Sequence, residues 1–440
     1  MRKARSKYSI ALLALFFCLL SQSKGQSWSP LGDGLNNIVN SIYSYHGDLF
    51  ATGYFDSSGT VAASGIARWD GNFWSPLGRG IRPAGGYCLT EYDSLLIVGG
   101  IYDTADFLPV NNISNWDGTH WNQMRNGSHT TVTTLQEFNN ELFASGKFDT
   151  GSTGVYDFNF ARWNGNQWSA IGNTNNVVGT MGVFQSSLYI GGAFDELNNS
   201  SLIAEHILKW DGASWADVDS GFDGIPYAMI EYNNELVIAG DFEHVGTSLP
   251  FRHIVKWDGS HWSPLGTGTN NWISSLAVLN GELYAGGGFD SAGNIPVNNI
   301  AKWDGTNWLP VGDGFNDWVI SLAVHANDLY ACGFFTQSGS IPTAHIARLN
   351  SSTEINNPTS SNRFIIFPNP AAETLHILFT RAKGEKIITI YDSLGLLLKQ
   401  TECKKDELDL DISALADGCY ILRYQDETHV GARTFILQKQ

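Results

Sequence analysis

A tryptophan-aspartate-glycine triplet recurs along this chain at a nearly constant interval, and that interval restricts the possible folds more than any other feature. It stands at Trp69-Asp70-Gly71, Trp116-Asp117-Gly118, Trp210-Asp211-Gly212, Trp257-Asp258-Gly259 and Trp303-Asp304-Gly305, with asparagine as the middle residue at Trp163-Asn164-Gly165; successive copies lie 47 or 46 residues apart. A second tryptophan follows five positions later, at Trp74, Trp121, Trp168, Trp215, Trp262 and Trp308, and a lone copy of this half, Trp28, precedes Trp74 by 46. The phase runs on to Leu349, where the sequence reads Ile-Ala-Arg-Leu-Asn. A self-similar unit of about 40–50 residues with four strand-like segments is the pattern of propeller blades.

Residues 271–312 show the unit most clearly. Ile273 to Leu279 leads through Asn280-Gly281 to Glu282–Phe289; a loop of about ten residues then precedes Ile300–Trp303, Asp304-Gly305 and Trp308–Val311. Asn-Gly and Asp-Gly suit two-residue hairpin turns, so the unit reads as a four-stranded antiparallel meander. Such a turn makes Trp303 and Trp308 diagonal neighbours on one face, placed to join one blade to the next. A glycine recurs in every second strand, at Gly53, Gly100, Gly146, Gly192, Gly240, Gly287 and Gly333. Its recurrence implies close approach of a bulky neighbour, for which the adjoining blade's tryptophans are the expected candidates.

The first copy begins halfway through a unit, at Trp28-Ser29-Pro30, and the last stops halfway, at Ile346–Asn350. Together they complete one blade, which removes the open edges of the array. The expectation is a seven-bladed β-propeller closed by its N-terminal strand, with blades near 36–78, 83–125, 130–172, 177–219, 225–266, 271–312 and 317–350 plus 27–32.

Basic Arg2 to Lys7, apolar Ile10 to Leu20 and a polar stretch to Gly25 form a secretory leader, residues 1–25, expected to be removed. The apolar run is shorter than the roughly 20 residues a membrane helix needs, so no transmembrane segment is expected. Residues 26–350 carry 11 basic and 31 acidic side chains, a balance that repels nucleic acid. Of the cysteines beyond the leader, Cys88 and Cys332 read as buried apolar residues, while Cys403 and Cys419 could pair.

Residues 351–362 (Ser-Ser-Thr-Glu-Ile-Asn-Asn-Pro-Thr-Ser-Ser-Asn) form a polar linker. Over 351–440 the charge is nearly balanced, 10 basic against 12 acidic, and apolar residues alternate at Leu375/Ile377/Phe379, Leu408/Leu410/Ile412 and Tyr420/Leu422/Tyr424. That alternation predicts a small Ig-like β-sandwich over 363–440. Phe367-Pro368-Asn369-Pro370, the run Ile388–Gly395, and Gly418-Cys419-Tyr420 in this terminal position resemble the type IX secretion sorting domain (type A) of Bacteroidetes-like bacteria. The resemblance implies a sorting signal that includes Pro368, Asn369, Pro370, Gly395, Gly418 and Tyr420. It also implies the type IX machinery as partner, and a protein secreted or anchored at the outer cell surface. The pattern Leu283 to Phe289 followed by Asn299 to Gly312 is similar to kelch and galactose-oxidase-type propellers and to secreted bacterial propeller repeats, a resemblance that speaks to fold more than to activity.

After the second strand stand Asp56, Asp103, Asp149, Asp195, Glu243, Asp290 and Thr336, a carboxylate in six of seven units; Asp33, Asp219, Asp223, Asp313 and Asp317 join the same face. One reading is an electronegative face for Ca²⁺, a cationic peptide or a hydroxyl-rich glycan. The other, which Asp-Ser-Ser-Gly at 56–59 and Asp-Ser-Ala-Gly at 290–293 favour, is turn chemistry in which the side chain binds nearby backbone. Arg68, Arg162, Lys209, Lys256, Lys302 and Arg348 share one repeat position and are expected to pair within their own blades. His206, His253 and His345, with Asn112, Asn159 and Asn299, precede the third strands and are expected to bond to loops. Trp272 and Trp318 open two adjacent innermost strands, where they pack between blades or stack on sugar rings. No nucleophile elbow, zinc-protease motif, phosphate loop or galactose-oxidase copper set is recognisable, and no cofactor is expected beyond a Ca²⁺ option. The sequence therefore implies an exported, monomeric propeller that binds a glycan or protein through its loop face. The alternative is a polysaccharide hydrolase or lyase that uses the acidic loops.

Overall fold

The computed structural model describes residues 26–148, 159–198, 201–246, 249–350, 364–367, 371–379, 386–392, 397–426 and 430–437; the leader, Asp149, Pro368, Asn369, Pro370 and Gly395 lie outside them. The chain divides into two compact units, one ending at Ser351 and one beginning at Ser352. The regular elements among the described residues are strands, and no helix there is long and apolar enough to cross a membrane.

The first unit is all-β and propeller-like. Its described residues form seven four-stranded antiparallel sheets, the sixth ordered Ile273–Leu279, Glu282–Gly287, Ile300–Trp303 and Trp308–Pro310. The first strands are Val39–Tyr45, Gly86–Tyr92, Leu135–Phe138, Val178–Phe184, Ile225–Tyr232, Ile273–Leu279 and Val319–His325. Each packs against the first strand of the sheets before and after it, and Val39–Tyr45 packs against Val319–His325, so the seven close a cycle. Side chains tie neighbouring first strands together: Asn40 Nδ2 donates to the Gly86 carbonyl (2.8 Å), and Ser274 Oγ donates to that of Val319 (2.6 Å).

The seventh sheet draws Val319–His325, Asp328–Gly333 and Ile346–Asn350 from the end of the unit and Ser27–Pro30 from its beginning. Ser27 lies opposite Asn350 and Pro30 opposite Ala347, antiparallel, so neither half-sheet keeps an unpaired inner edge. Trp28 is 1% exposed, packs on Phe315 at 4.6 Å between centroids, and donates its indole N–H to the Val311 carbonyl of the sixth sheet (3.1 Å).

That bond recurs as the seam between sheets. Trp74, Trp121, Trp168, Trp215 and Trp308 donate to the carbonyls of Leu31, Leu77, Met124, Ile171 and Leu265 at 2.8–3.2 Å, each reaching the preceding sheet. The indole N–H of Trp262 is buried without a partner, and Phe222 meets its ring edge-on at 5.2 Å.

Two sequence expectations require correction. Trp303 lies directly opposite Trp308, not diagonally, because Asp304–Asn307 is a four-residue loop. The Asp304 carboxylate accepts from the backbone N–H groups of Thr306 (2.8 Å) and Asn307 (2.7 Å), and Gly305 alone in the loop has positive φ, at 99°. A two-residue type I′ turn needs positive φ at both central positions; here the side chain closes a wider turn. The backbone donors, foremost the residue three ahead, hold Asp70, Asp117, Asp211, Asp258 and Asp304 below the ordinary carboxylate range. Asn164 makes the same two bonds, at 3.0 Å each, without a charge.

Six of the seven recurrent glycines are fixed by backbone, not by neighbouring tryptophans; the seventh, Gly146, faces the Ser128 side chain and has positive φ, at 131°. A Cβ on Gly53, Gly192, Gly287 or Gly333 would lie 2.2 Å from the carbonyl oxygen of Ile38, Val177, Trp272 or Trp318, just before the first strand of the same sheet. The register slips there, as between Val39 and Ser41 or between Ile273 and Ser275, and the bulge presses the carbonyl into the space a side chain would fill.

In the second unit, Phe364–Phe367, Thr374–Phe379 and Glu407–Asp411 form one sheet, and Leu397–Cys403, Lys386–Asp392, Gly418–Gln425 and Val430–Leu437 form another in that order. Leu375, Ile377, Phe379, Leu410, Ile412, Tyr420, Leu422 and Tyr424, from the alternating runs, are buried in one apolar cluster. Cys403 lies opposite Lys386, whereas Cys419 adjoins Tyr420, which lies opposite Asp392 at the other end of the shared central strand. The two cysteines that could have paired thus stand at opposite ends of that strand, and Cys403 is a buried free thiol, as are Cys88 and Cys332.

Candidate functional site

One end of the first unit carries the residues just before each first strand and just after each second strand. The two groups are bonded together: Tyr54 N–H donates to the Ile38 carbonyl (2.9 Å), Ile101 to Gly85 (2.8 Å), Ala193 to Val177 (2.9 Å), Gly288 to Trp272 (3.1 Å) and Phe334 to Trp318 (3.0 Å). These pairs rim one end of the cycle that the first strands close.

Four adjacent sheets make that rim aromatic. Trp272 meets Trp318 edge-on at 5.3 Å, and Trp318 meets Phe334 at 5.5 Å. Trp318 remains 46% exposed. Gly288 makes room for Trp272, since a Cβ there would lie 2.7 Å from the indole. Asn271 and Asp317 accept from the backbone N–H of Trp272 (2.9 Å) and Trp318 (2.8 Å), which fixes the strand starts that carry the rings. On the first and second sheets Tyr54 and Tyr87 join through their hydroxyls, with ring centroids 6.0 Å apart. Burial, with the Tyr54 bond second, pushes the Tyr87 phenol up to about 12. The sequence reading named Trp272 and Trp318 but missed Phe334, Tyr54 and Tyr87, which follow the recurrent glycine or open a first strand at varying repeat positions.

The loop carboxylates Asp56, Asp103, Asp195, Glu243 and Asp290 are exposed on the same face. Three are tied by an asparagine 20 residues upstream. Asn36 Nδ2 donates to Asp56 Oδ1 (2.7 Å), Asn270 Nδ2 does so to Asp290 (2.6 Å), and Asn175 pairs likewise with Asp195. Each asparagine oxygen accepts in return from the backbone N–H of its aspartate, and in the seventh sheet Asn316 serves Thr336 in the same way. Asp223 plays this part for the backbone of Glu243 and His244. The turn is thus capped from the preceding loop and not, as Asp-Ser-Ser-Gly implied, by the aspartate itself. The signal was present in the recurrence of Asn36, Asn175, Asn270 and Asn316 at one repeat position. Among the described residues, no group of three or more His, Cys, Asp and Glu side chains is placed to hold a metal ion.

The repeat-position cations are neutralised locally. Arg68 pairs with Asp48 (2.7 Å), Arg162 with Glu141 (3.0 Å), Lys256 with Glu235 (2.6 Å), Lys302 with Glu282 (2.8 Å) and Arg348 with Asp328 (2.8 Å), while Lys209 sits over the Tyr189 ring. The residues before the third strands adopt positive φ, as at Asn112, His206 and Asn299. His206 Nδ1 donates to the loop carbonyl of Gly192 (2.9 Å) and Asn299 Nδ2 to that of Phe315 (3.0 Å), whereas the buried Nδ1 of His253 makes no hydrogen bond, contrary to the expectation for that position.

A groove of about 850 Å³ opens between the first and second sheets on the aromatic face, lined by Tyr54, Asp56, Thr60, Arg79, Arg82 and Pro83 among others. Sequence reasoning missed it, because Arg79 and Arg82 fall outside the repeat.

In the second unit, Tyr420 is buried and donates its hydroxyl to the Ala416 carbonyl (2.6 Å), and Gly418 lies opposite Leu437 in the outer strand pair. Residues 365–438 match the secretion system C-terminal sorting domain. This domain marks proteins that type IX secretion exports to the cell surface or outside, so the type IX machinery is a partner of this chain.

No curated protein matches the chain. Among solved structures it is similar to PorZ, described as an essential surface component of the type IX secretion system of Porphyromonas gingivalis, at 14% identity and a TM-score of 0.45 over 92% of this chain and 60% of PorZ. The extracellular domain of a hybrid two-component system of B. thetaiotaomicron is similar at 10% identity and a TM-score of 0.49, over 94% of this chain and 58% of that one. The β-propeller domain of the Trilobed protease of Pyrococcus furiosus is similar at 9% identity and a TM-score of 0.42, over 76% of this chain and 100% of that domain. The chain spans about three fifths of the first two structures.

Proposed function

We propose that the chain is a binding module carried to the cell surface by its sorting domain, and that it takes a glycan at the aromatic mouth of the first unit. In this reading the seven sheets are blades of a monomeric, kelch-like propeller, residues 1–25 are a removed leader, and the sorting domain is an Ig-like sandwich. The observation that supports it is the rim of Trp272, Trp318, Phe334, Tyr54 and Tyr87, with Trp318 nearly half exposed. Large rings left in water at a concave mouth offer flat apolar faces that match the C–H face of a pyranose, and contiguous exposed apolar surface marks interaction sites. The carboxylates Asp56, Asp195 and Asp290, with their amide partners, supply a polar border that accepts sugar hydroxyls.

The test is binding of the full chain to a glycan array, beside its Trp318→Ala variant. The reading expects retention of a glycan by the parent chain and loss of at least tenfold in the variant. Equal retention by both removes the aromatic mouth from the account, and turnover of a polysaccharide by the parent chain restores the hydrolase or lyase alternative.

A further inference from the structure

We infer that the groove between the first and second sheets is a subsite for a carboxylate-bearing sugar, a uronate unit of an acidic glycan; the inference rests on the glycan-binding reading above and assigns its ligand class. The starting point is charge. Residues 26–350 hold 11 basic against 31 acidic side chains, and five of the six repeat-position cations already face a carboxylate in their own sheet. Arg79 and Arg82 make no ion pair among the described residues, and both line this one groove.

Their placement is built. Ile81–Arg82 adds a third strand to the loop-face ribbon of the second sheet, with Arg82 opposite Thr104, whereas the other described ribbons of this kind have two strands. Strand alternation buries Ile81 and turns Arg82 outward. The Arg79 guanidinium lies over the Phe107 ring, 4.1 Å from its centroid, which fixes its plane and leaves its edge for a planar anion. A guanidinium donates two parallel N–H bonds to a carboxylate, a geometry that a neutral sugar cannot reproduce.

The rest of the lining fits a sugar ring. Tyr54, 38% exposed, presents its ring beside the arginines while its hydroxyl is held by Tyr87. Asp56, whose Oδ1 takes the Asn36 amide, faces the groove as an acceptor for hydroxyls. A volume near 850 Å³ suits a short oligosaccharide. The acidic surroundings repel polyanions at long range, but screening within about 8 Å at physiological salt leaves the two arginines in control at contact.

The experiment is calorimetric titration of the full chain with hexagalacturonate and with its fully methyl-esterified, uncharged counterpart, repeated for Arg82→Gln and Arg79→Gln, whose fold is checked by melting temperature. The expected result is at least tenfold tighter binding of the acid than of the ester, with either substitution weakening the acid about tenfold and leaving the ester unchanged. Equal binding of acid and ester, unaffected by Arg82→Gln yet weakened by Trp318→Ala, overturns the uronate subsite and leaves the glycan reading intact. Binding of neither, together with a silent glycan array, overturns both.

Discussion

Replacing Trp28 by alanine tests whether the N-terminal strand truly completes the seventh sheet. The side chain is 1% exposed, packed on Phe315, and bonded through its indole to the Val311 carbonyl. Truncating a buried tryptophan costs about 3–5 kcal/mol in lost transfer energy and residual cavity. Losing the hydrogen bond, with the Val311 carbonyl left in an apolar seam, adds about 1 kcal/mol. The sum, about 4–6 kcal/mol, is a large part of the roughly 5–15 kcal/mol that stabilises an ordinary domain. Equilibrium unfolding of the full chain in urea, followed by tryptophan fluorescence, should show the extrapolated unfolding free energy falling by that amount, with the midpoint shifted down in proportion. Limited proteolysis should also cut near residue 27 in the variant before any other site of the first unit. A loss below about 1 kcal/mol, the range of an exposed side chain, would refute the reasoning.

The seam makes a second, differential prediction. Trp308→Phe removes a donor bonded to Leu265 and should cost about 1 kcal/mol more than Trp262→Phe, whose donor has no partner; equal costs in parallel urea titrations would show that the indole bonds contribute nothing net. The turn carboxylates predict an acid response. Because Asp70, Asp117, Asp211, Asp258 and Asp304 titrate lower in the folded chain than in the unfolded one, the folded state binds fewer protons across that window. Their contribution is complete above the ordinary carboxylate value of 3.8 and is lost as pH falls through the depressed values. Exchanging all five for asparagine, which already serves at Asn164, should preserve the turns and flatten the fall of melting temperature below about pH 4; an unchanged slope would contradict the assignment.

The repeat made the sheets and their closure legible. Trp28 and Leu349 are in phase with the other copies, so their pairing follows from counting. Turn geometry was less legible: Asp304-Gly305 has the residues of a two-residue hairpin, but the Asp304 carboxylate gains two backbone donors only if the loop lengthens to four. The glycines were visible as a constraint without a cause, since a bulge that drives the Ile38 carbonyl towards Gly53 leaves no separate mark in the sequence. The candidate site was half legible. Trp272 and Trp318 break a repeat position and stand out, whereas Arg82 lies in, and Arg79 just before, a third ribbon strand found on the second sheet alone among the described ribbons, and a reading tuned to periodicity passes over what occurs once.

Ser29 bonds to Asn350, 321 positions further along the chain. The strand Ser27–Pro30 therefore pairs only once Ile346–Asn350 has been made, and until then the early sheets have a front end with no neighbour to latch. Any product that stops short of residue 346 must keep a loose leading strand, while the sorting signal lies still further along. A truncated copy thus lacks both its latch and its address, because the residues matched as a sorting domain, 365–438, lie beyond the closing strand.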